Sequence, residues 1–198
     1  MKIKICGITR LEDALFCAEM GTDFLGFIFI GSTPRYIDPE RAAAIRNAVP
    51  GPRYVGVFRD ASVDYMAEIA NVVGLDLVQL HGSESDEDVL AVGMPVIRAF
   101  RIAASLPDMT TSADWLLFDT YDERRAGGTG RRFDWSLLAD YERTKPFFLA
   151  GGLAPDNIEE AIQVVHPDAI DVSSGVEFEP GVKDHVKLRD LFERARRA

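Results

Sequence analysis

Two side chains stand out as able to move a proton: Cys6, followed at once by Gly7, and Asp119, which ends the apolar run Trp115-Leu116-Leu117-Phe118. A thiol is a base only once ionised, which at neutral pH needs a pKa below its ordinary value of about 8.5. A carboxyl emerging from an apolar strand becomes an acid when partial burial raises its pKa. Each has a plainer alternative, Cys6 as a small buried filler and Asp119 as a turn or cap residue. Cys17, inside the first helical segment, fits the filler reading better. Spacing alone does not bring positions 6 and 119 to one cavity.

Other residues suggest what such a pair would act on. Gly151-Gly152 and Ser173-Ser174-Gly175 each close a strand-like run. Glycines let a backbone approach an anion and serines add donors, so together the two stretches read as a phosphate site. Tight turns alone would also explain either glycine stretch singly. Asp171, within the last such run, is either an inward polar contact or a structural hydrogen-bonding group. Arg35 follows a proline turn, where its guanidinium either clamps a carboxylate or forms a surface ion pair. Gly127-Gly128-Thr129-Gly130 sits in a long loop and reads as a lid or ligand loop, so Gly128, Thr129 and Gly130 are candidate contacts. His81 stays outside the acid–base pair.

These residues need a frame that collects them. Strands are expected at Lys2–Ile8, Phe24–Ile30, Tyr54–Arg59, Leu77–His81, Val96–Ile102, Trp115–Thr120, Phe147–Ala150 and Ala169–Ser173. Their continuous apolar character suits parallel strands covered on both faces. Helices are expected at Leu11–Met20, Pro39–Val49, Val63–Val73, Glu84–Val92, Trp135–Arg143, Pro155–Val165 and Lys183–Arg197. The stretch after the fifth strand, Ala103–Ala113, reads as loop or a single turn, so the fifth helix is weak or missing. Eight strand–helix units favour an α/β fold of the (β/α)8 TIM-barrel type, in one compact domain over 1–198, against an open doubly wound sheet. The first turn lacks the GxGxxG that an open dinucleotide-binding sheet would want. In a barrel of this kind, function gathers where the strands end, and the candidates above collect there, with Asp171 inside the eighth strand.

Composition narrows the partners. The 198 residues are 47% hydrophobic and 27% charged, ordinary values for a globular chain, and the net charge is −10. That balance argues against nucleic acid, which would want a basic face. An anionic ligand must therefore be held by local donors. Two cysteines without a metal-ligand spacing and three scattered histidines give no metal site. No apolar run approaches the roughly 20 residues that span a bilayer. The expectation is a soluble cytoplasmic protein with free thiols, a small-molecule ligand, and no nucleic acid or membrane partner.

At these residues the chain resembles the phosphoribosylanthranilate isomerase family. The matching segments are Lys4-Ile5-Cys6-Gly7-Ile8-Thr9, Gly26-Phe27-Ile28-Phe29 with Pro34-Arg35, Val78-Gln79-Leu80-His81-Gly82, and Asp119 followed by Gly127-Gly128-Thr129-Gly130 and Phe133-Asp134-Trp135. Ala150-Gly151-Gly152-Leu153, Pro155 with Asn157, Asp171-Val172-Ser173-Ser174-Gly175-Val176-Glu177, and Pro180-Gly181 with Lys183-Asp184 complete the set. The resemblance implies an aldose–ketose isomerase of tryptophan biosynthesis that performs an Amadori rearrangement on a phosphoribosyl substrate. It implies Asp119 as general acid, Cys6 as general base, Arg35 on the anthranilate moiety, and the glycine and serine loops on phosphate. No metal or organic cofactor is called for, and the protein is expected as a monomer or homodimer. The alternatives are another isomerase of the phosphate-binding barrels, such as a sugar-isomerising enzyme of histidine synthesis, or a non-catalytic phosphometabolite-binding barrel. The first would be expected to carry aspartate where Cys6 stands.

Overall fold

The computed structural model describes residues 1–120, 134–138 and 141–198. Eight parallel strands close into a barrel in sequence order: β1 (Lys2–Cys6), β2 (Phe24–Ile28), β3 (Arg53–Phe58), β4 (Leu77–Leu80), β5 (Val96–Ile102), β6 (Trp115–Thr120), β7 (Phe147–Leu149) and β8 (Ala169–Val172). β1 pairs with both β2 and β8, which shuts the sheet and leaves it no edge. Between strands run α1 (Leu11–Glu19), α2 (Pro39–Ala48), α3 (Val63–Val73), α4 (Asp86–Ala91) and α5 (Ile158–Val165), with α6 (His185–Ala195) after the last barrel strand. The connection from β5 to β6 contains no helix, as its proline and threonine-rich sequence foretells.

Alternation along each strand sorts two cores. One set of side chains, including Phe24, Val55, Leu77, Ile97, Leu117 and Phe148, fills the barrel. The other, including Ile5, Leu25, Phe58, Leu80, Phe118 and Ile170, packs outward beneath the helices. Because successive residues face opposite sides, Lys4 and Cys6 point inward while Ile3 and Ile5 point outward. Burying one such large apolar side chain contributes about 1.5–3 kcal/mol.

Three expectations need correcting. Trp135–Arg143 is not an α-helix: Trp135–Leu138 forms one 3₁₀ turn, and residues 141–145 are irregular. Trp135 and Leu138, three apart, are the buried pair that anchors it, and Pro146 follows closely. The fourth expected helix, Glu84–Val92, shortens because Ser85 caps α4 in a capping box with Asp88, leaving Glu84 turned inward. Lys183 belongs not to a helix but to β10 (Val182–Lys183), which pairs antiparallel with β9 (Glu177–Glu179); α6 starts after it, capped by Asp184.

Candidate active site

A cavity of about 610 Å³ opens where the barrel strands end, and Cys6 and Asp119 both line it. Arg35, Gly151, Gly152, Asp171, Ser173 and Ser174 share its wall, so most of the sequence-derived candidates converge. Gly175 sits immediately behind. Gly128, Thr129 and Gly130 lie outside the described residues.

Cys6 ends β1 and is buried, facing Gly26 across the β1–β2 register. A side chain at Gly26 would not fit, since a Cβ there would stand 2.8 Å from Cys6 Sγ and 3.2 Å from Lys4 Nζ. Lys4 is fully buried and its Nζ lies 2.8 Å from Asp171 Oδ2. Burial pushes the Cys6 thiol up; Lys4 and Lys183 pull it down, Asp171 adds to the rise, and the net direction is upward. The low thiol pKa that would make a resting thiolate base is therefore not what the site sets by itself. Lys4, by contrast, is held charged: burial opposes its charge, but Asp171 and Cys6 outweigh it and its pKa rises.

Asp119 is also buried, at the end of β6. Its Oδ1 accepts from the Thr120 backbone N–H at 2.8 Å, and its Oδ2 lies 3.3 Å from His81 Nε2, close but not aligned as a hydrogen bond. Gln79 Nε2 stands 3.1 Å from His81 Nδ1. With the amide donating there, a neutral imidazole keeps its proton on Nε2, the nitrogen facing Asp119. Strand parity puts Gln79 and His81 on the cavity side together, and His81 joins the site although sequence reasoning set it aside.

The glycine loops have the backbone geometry an anion needs. Gly151 and Gly152 have φ of +86° and +69°, a conformation that turns their N–H groups sharply after β7. Gly175 meets this loop backbone to backbone, because a Cβ on it would fall 2.0 Å from the Leu153 carbonyl oxygen. Asn157 braces the turn, donating to the Gly152 carbonyl at 2.9 Å and accepting from Ala154 N–H at 3.0 Å. The N–H groups of Gly151, Gly152, Ser174 and Gly175 meet no acceptor among the described residues, and the buried Ser173 hydroxyl likewise has no partner there. Four amides and a hydroxyl at adjacent strand ends suit a phosphate.

Arg35 is neither a free clamp nor a surface pair. Its guanidinium grips Glu177 with contacts of 2.6, 2.9 and 3.0 Å, and Lys183 Nζ adds a second cation to Glu177 at 2.9 Å. Burial works to raise the Glu177 carboxyl, but Arg35 and Lys183 outweigh it and hold it below its usual range. Lys183 also donates to the carbonyls of Cys6 and Ser173, tying the ends of β1 and β8 together. Lys4, Glu177 and Lys183 were missed as site residues; a lysine inside an otherwise apolar strand was the one available signal. No group of three or more His, Cys, Asp or Glu side chains among the described residues could hold a metal ion. No described helix is long and apolar enough to cross a membrane.

A closed parallel barrel with a buried thiol and a buried carboxyl in its mouth, and glycine loops after β7 and β8, is the architecture of a phosphosugar-handling (β/α)8-barrel enzyme. A family model described as N-(5′-phosphoribosyl)anthranilate (PRA) isomerase matches residues 3–194. The chain is 48% identical over 202 residues to the N-(5′-phosphoribosyl)anthranilate isomerase of Geobacter sp. (strain M21), covering 99% of this chain and 98% of that one. Among solved structures, phosphoribosyl anthranilate isomerase from Thermus thermophilus matches with a TM-score of 0.90 at 40% identity, covering 100% and 99% of the two chains. A phosphoribosyl anthranilate isomerase in complex with reduced 1-(o-carboxyphenylamino)-1-deoxyribulose 5-phosphate matches with a TM-score of 0.88 at 38% identity, over the whole of both chains. The chain belongs to the N-(5′-phosphoribosyl)anthranilate isomerase family.

Proposed function

We propose that this cavity carries out the family's isomerisation with Asp119 as general acid and Cys6 as general base. The substrate is N-(5′-phosphoribosyl)anthranilate and the product 1-(2-carboxyphenylamino)-1-deoxyribulose 5-phosphate. Asp119 gives its proton to the ribose ring oxygen as the bond from that oxygen to C1 breaks, leaving a protonated Schiff base between C1 and the anthranilate nitrogen. The Cys6 thiolate then takes the proton from C2, the C2–H electron pair forms the C1=C2 bond, and the π pair of the C1–N double bond returns to nitrogen, giving an enolamine. Tautomerisation shifts a proton from the C2 hydroxyl to C1 and yields the ketone. The two catalytic groups end with exchanged protonation states and return to the start by proton transfer through the site. Every step is a proton transfer, so none calls for a cofactor.

The observation that carries this reading is that Cys6 and Asp119 line one cavity beside donors of the β7 and β8 loops that meet no acceptor among the described residues. Gly151, Gly152, Ser173, Ser174 and Gly175 take the phosphate, and Asp171, whose Oδ1 has no partner among the described residues, takes a sugar hydroxyl. Arg35, held in place by Glu177, contacts the anthranilate moiety, and the loop bearing Gly128, Thr129 and Gly130 covers the substrate. The chain works as one unit over 1–198, in the cytoplasm, as a monomer or homodimer; a relative from Thermotoga maritima is described as dimeric. Loss of phosphoribosylanthranilate fluorescence with purified protein tests the reading. We expect substrate consumption at micromolar enzyme or below; none at that concentration would sink it in favour of a binding-only barrel.

A further inference from the structure

Lys4 is fully buried, two residues before the proposed base and on the same inward face of β1. Its Nζ and the Cys6 Sγ crowd the same niche, the space that Gly26 leaves by having no Cβ. On its other side Lys4 Nζ meets Asp171 Oδ2 at 2.8 Å, in register across β1 and β8. The remaining charges around Cys6 are accounted for. Lys183 of β10 donates to the Cys6 carbonyl and is itself paired with Glu177. Asp119 with His81 lines the same cavity, and Arg35, locked onto Glu177, lies against Gly7. Lys4 is therefore the ammonium immediately beside the thiol. A buried lysine serving only to balance Asp171 would not need to share a niche with a sulfur.

We propose that Lys4 is a positioning residue of the isomerase site, holding the Cys6 thiolate by direct charge contact while Asp171 limits how strongly it does so. The proposal rests on Cys6 as the base, which the previous section assigns. It gives the site a reason to keep an ion pair at the floor of a barrel: the ammonium favours the ionised sulfur, and the carboxylate beside it prevents the sulfur from being held too tightly to accept a proton from carbon. A weakly basic thiolate is a poor base, so the two opposed charges set a compromise.

Opposite signs make this testable. Removing the cation in Lys4→Met makes Cys6 harder to ionise; removing the anion in Asp171→Asn makes it easier. A merely structural ion pair, broken from either side, would disturb Cys6 the same way in both variants. The measurement is the pH dependence of Cys6 alkylation by iodoacetamide in the full-length protein, followed by peptide mapping to separate Cys6 from Cys17. We expect the midpoint to rise by about one pH unit in Lys4→Met, with alkylation about tenfold slower below it. The midpoint should fall in Asp171→Asn and return toward the parent value in Lys4→Arg. Midpoints that stay put, or move together, overturn the proposal. Should Lys4→Met fail to fold, Asp171→Asn decides alone, since a midpoint that does not fall counts against the charge contact. The assay needs no turnover, so it separates this idea from the base assignment: substantial activity in Cys6→Ala would remove the latter and leave the alkylation shifts intact.

Discussion

Asp119 meets the cavity because alternate residues of β6 point inward, and replacing it isolates one chemical step. Asp119→Asn keeps an oxygen for the Thr120 N–H but has no acidic proton to give. Turnover should drop by about 10²–10⁴-fold while the melting temperature barely moves, checked by the fluorescence assay alongside thermal unfolding. Cys6 predicts a pH profile. Its thiol is held above the ordinary value and must be ionised to act, so kcat/KM should keep climbing with pH past the usual thiol range. That basic limb should vanish in Cys6→Ala, and an activity plateau reached at neutral pH in the parent protein would contradict it. Cys6 and Asp119 were legible in the sequence because each interrupts an apolar strand at its end. Lys4 was not legible as a site residue, since nothing local shows that its partner is Asp171, 167 positions away. Arg35 was legible as a cation, while its bond to Glu177 was not, for the same reason.

At the scale of elements, all eight strands were readable, with ends such as Ile8 and Ile30 running past the observed Cys6 and Ile28, because strands covered on both faces leave long apolar runs. The short β9–β10 ribbon was not, for it has no such run and is held by side chains reaching across the fold. Two predictions concern these loops. Gly175→Ala forces a methyl onto the Leu153 carbonyl oxygen, so the β7 and β8 loops must part. We expect inorganic phosphate to inhibit the variant at least about tenfold more weakly, the loss of one or two charge-assisted hydrogen bonds at about 1.5–3 kcal/mol each. Unchanged phosphate inhibition would move the anion site elsewhere. Glu177→Gln leaves Arg35 and Lys183 without their shared carboxylate. Removing one partner of a buried pair costs about 3–5 kcal/mol, and KM should rise as Arg35 loosens. The sign with pH follows from the depressed Glu177 pKa. Its contribution is complete above the unfolded glutamate value of about 4.3 and is lost as pH falls through the lower folded one. Denaturant titrations should therefore show the parent and Glu177→Gln converging at strongly acidic pH; a constant gap down to that range would refute the linkage.

The whole molecule is one barrel whose interior is packed from every strand, so stability and site geometry share a core. Phe148 is fully buried against Phe24 and Trp115, with ring centroids 5.4 and 5.0 Å away. Phe148→Ala should cost about 3–5 kcal/mol in chemical denaturation. It should do so in one cooperative transition if the chain is a single unit; two separated transitions would divide it. Barrel closure was inferred from strand count, but the chords that secure it run between residues far apart in sequence. One of them, from Lys183 to the carbonyl of Cys6, spans 177 positions. That chord sets an order in time. A ribosome makes β1, with its thiol, before the other barrel strands, and reaches β8 and β10 only after β1 to β7. At about 5–20 residues per second, the nascent Cys6 waits roughly 9–35 s for the lysine and the wall that complete its surroundings. Throughout that interval the thiol lacks the neighbours that enclose it in the barrel, and its surroundings are completed by β8 and β10 rather than accumulating along the chain.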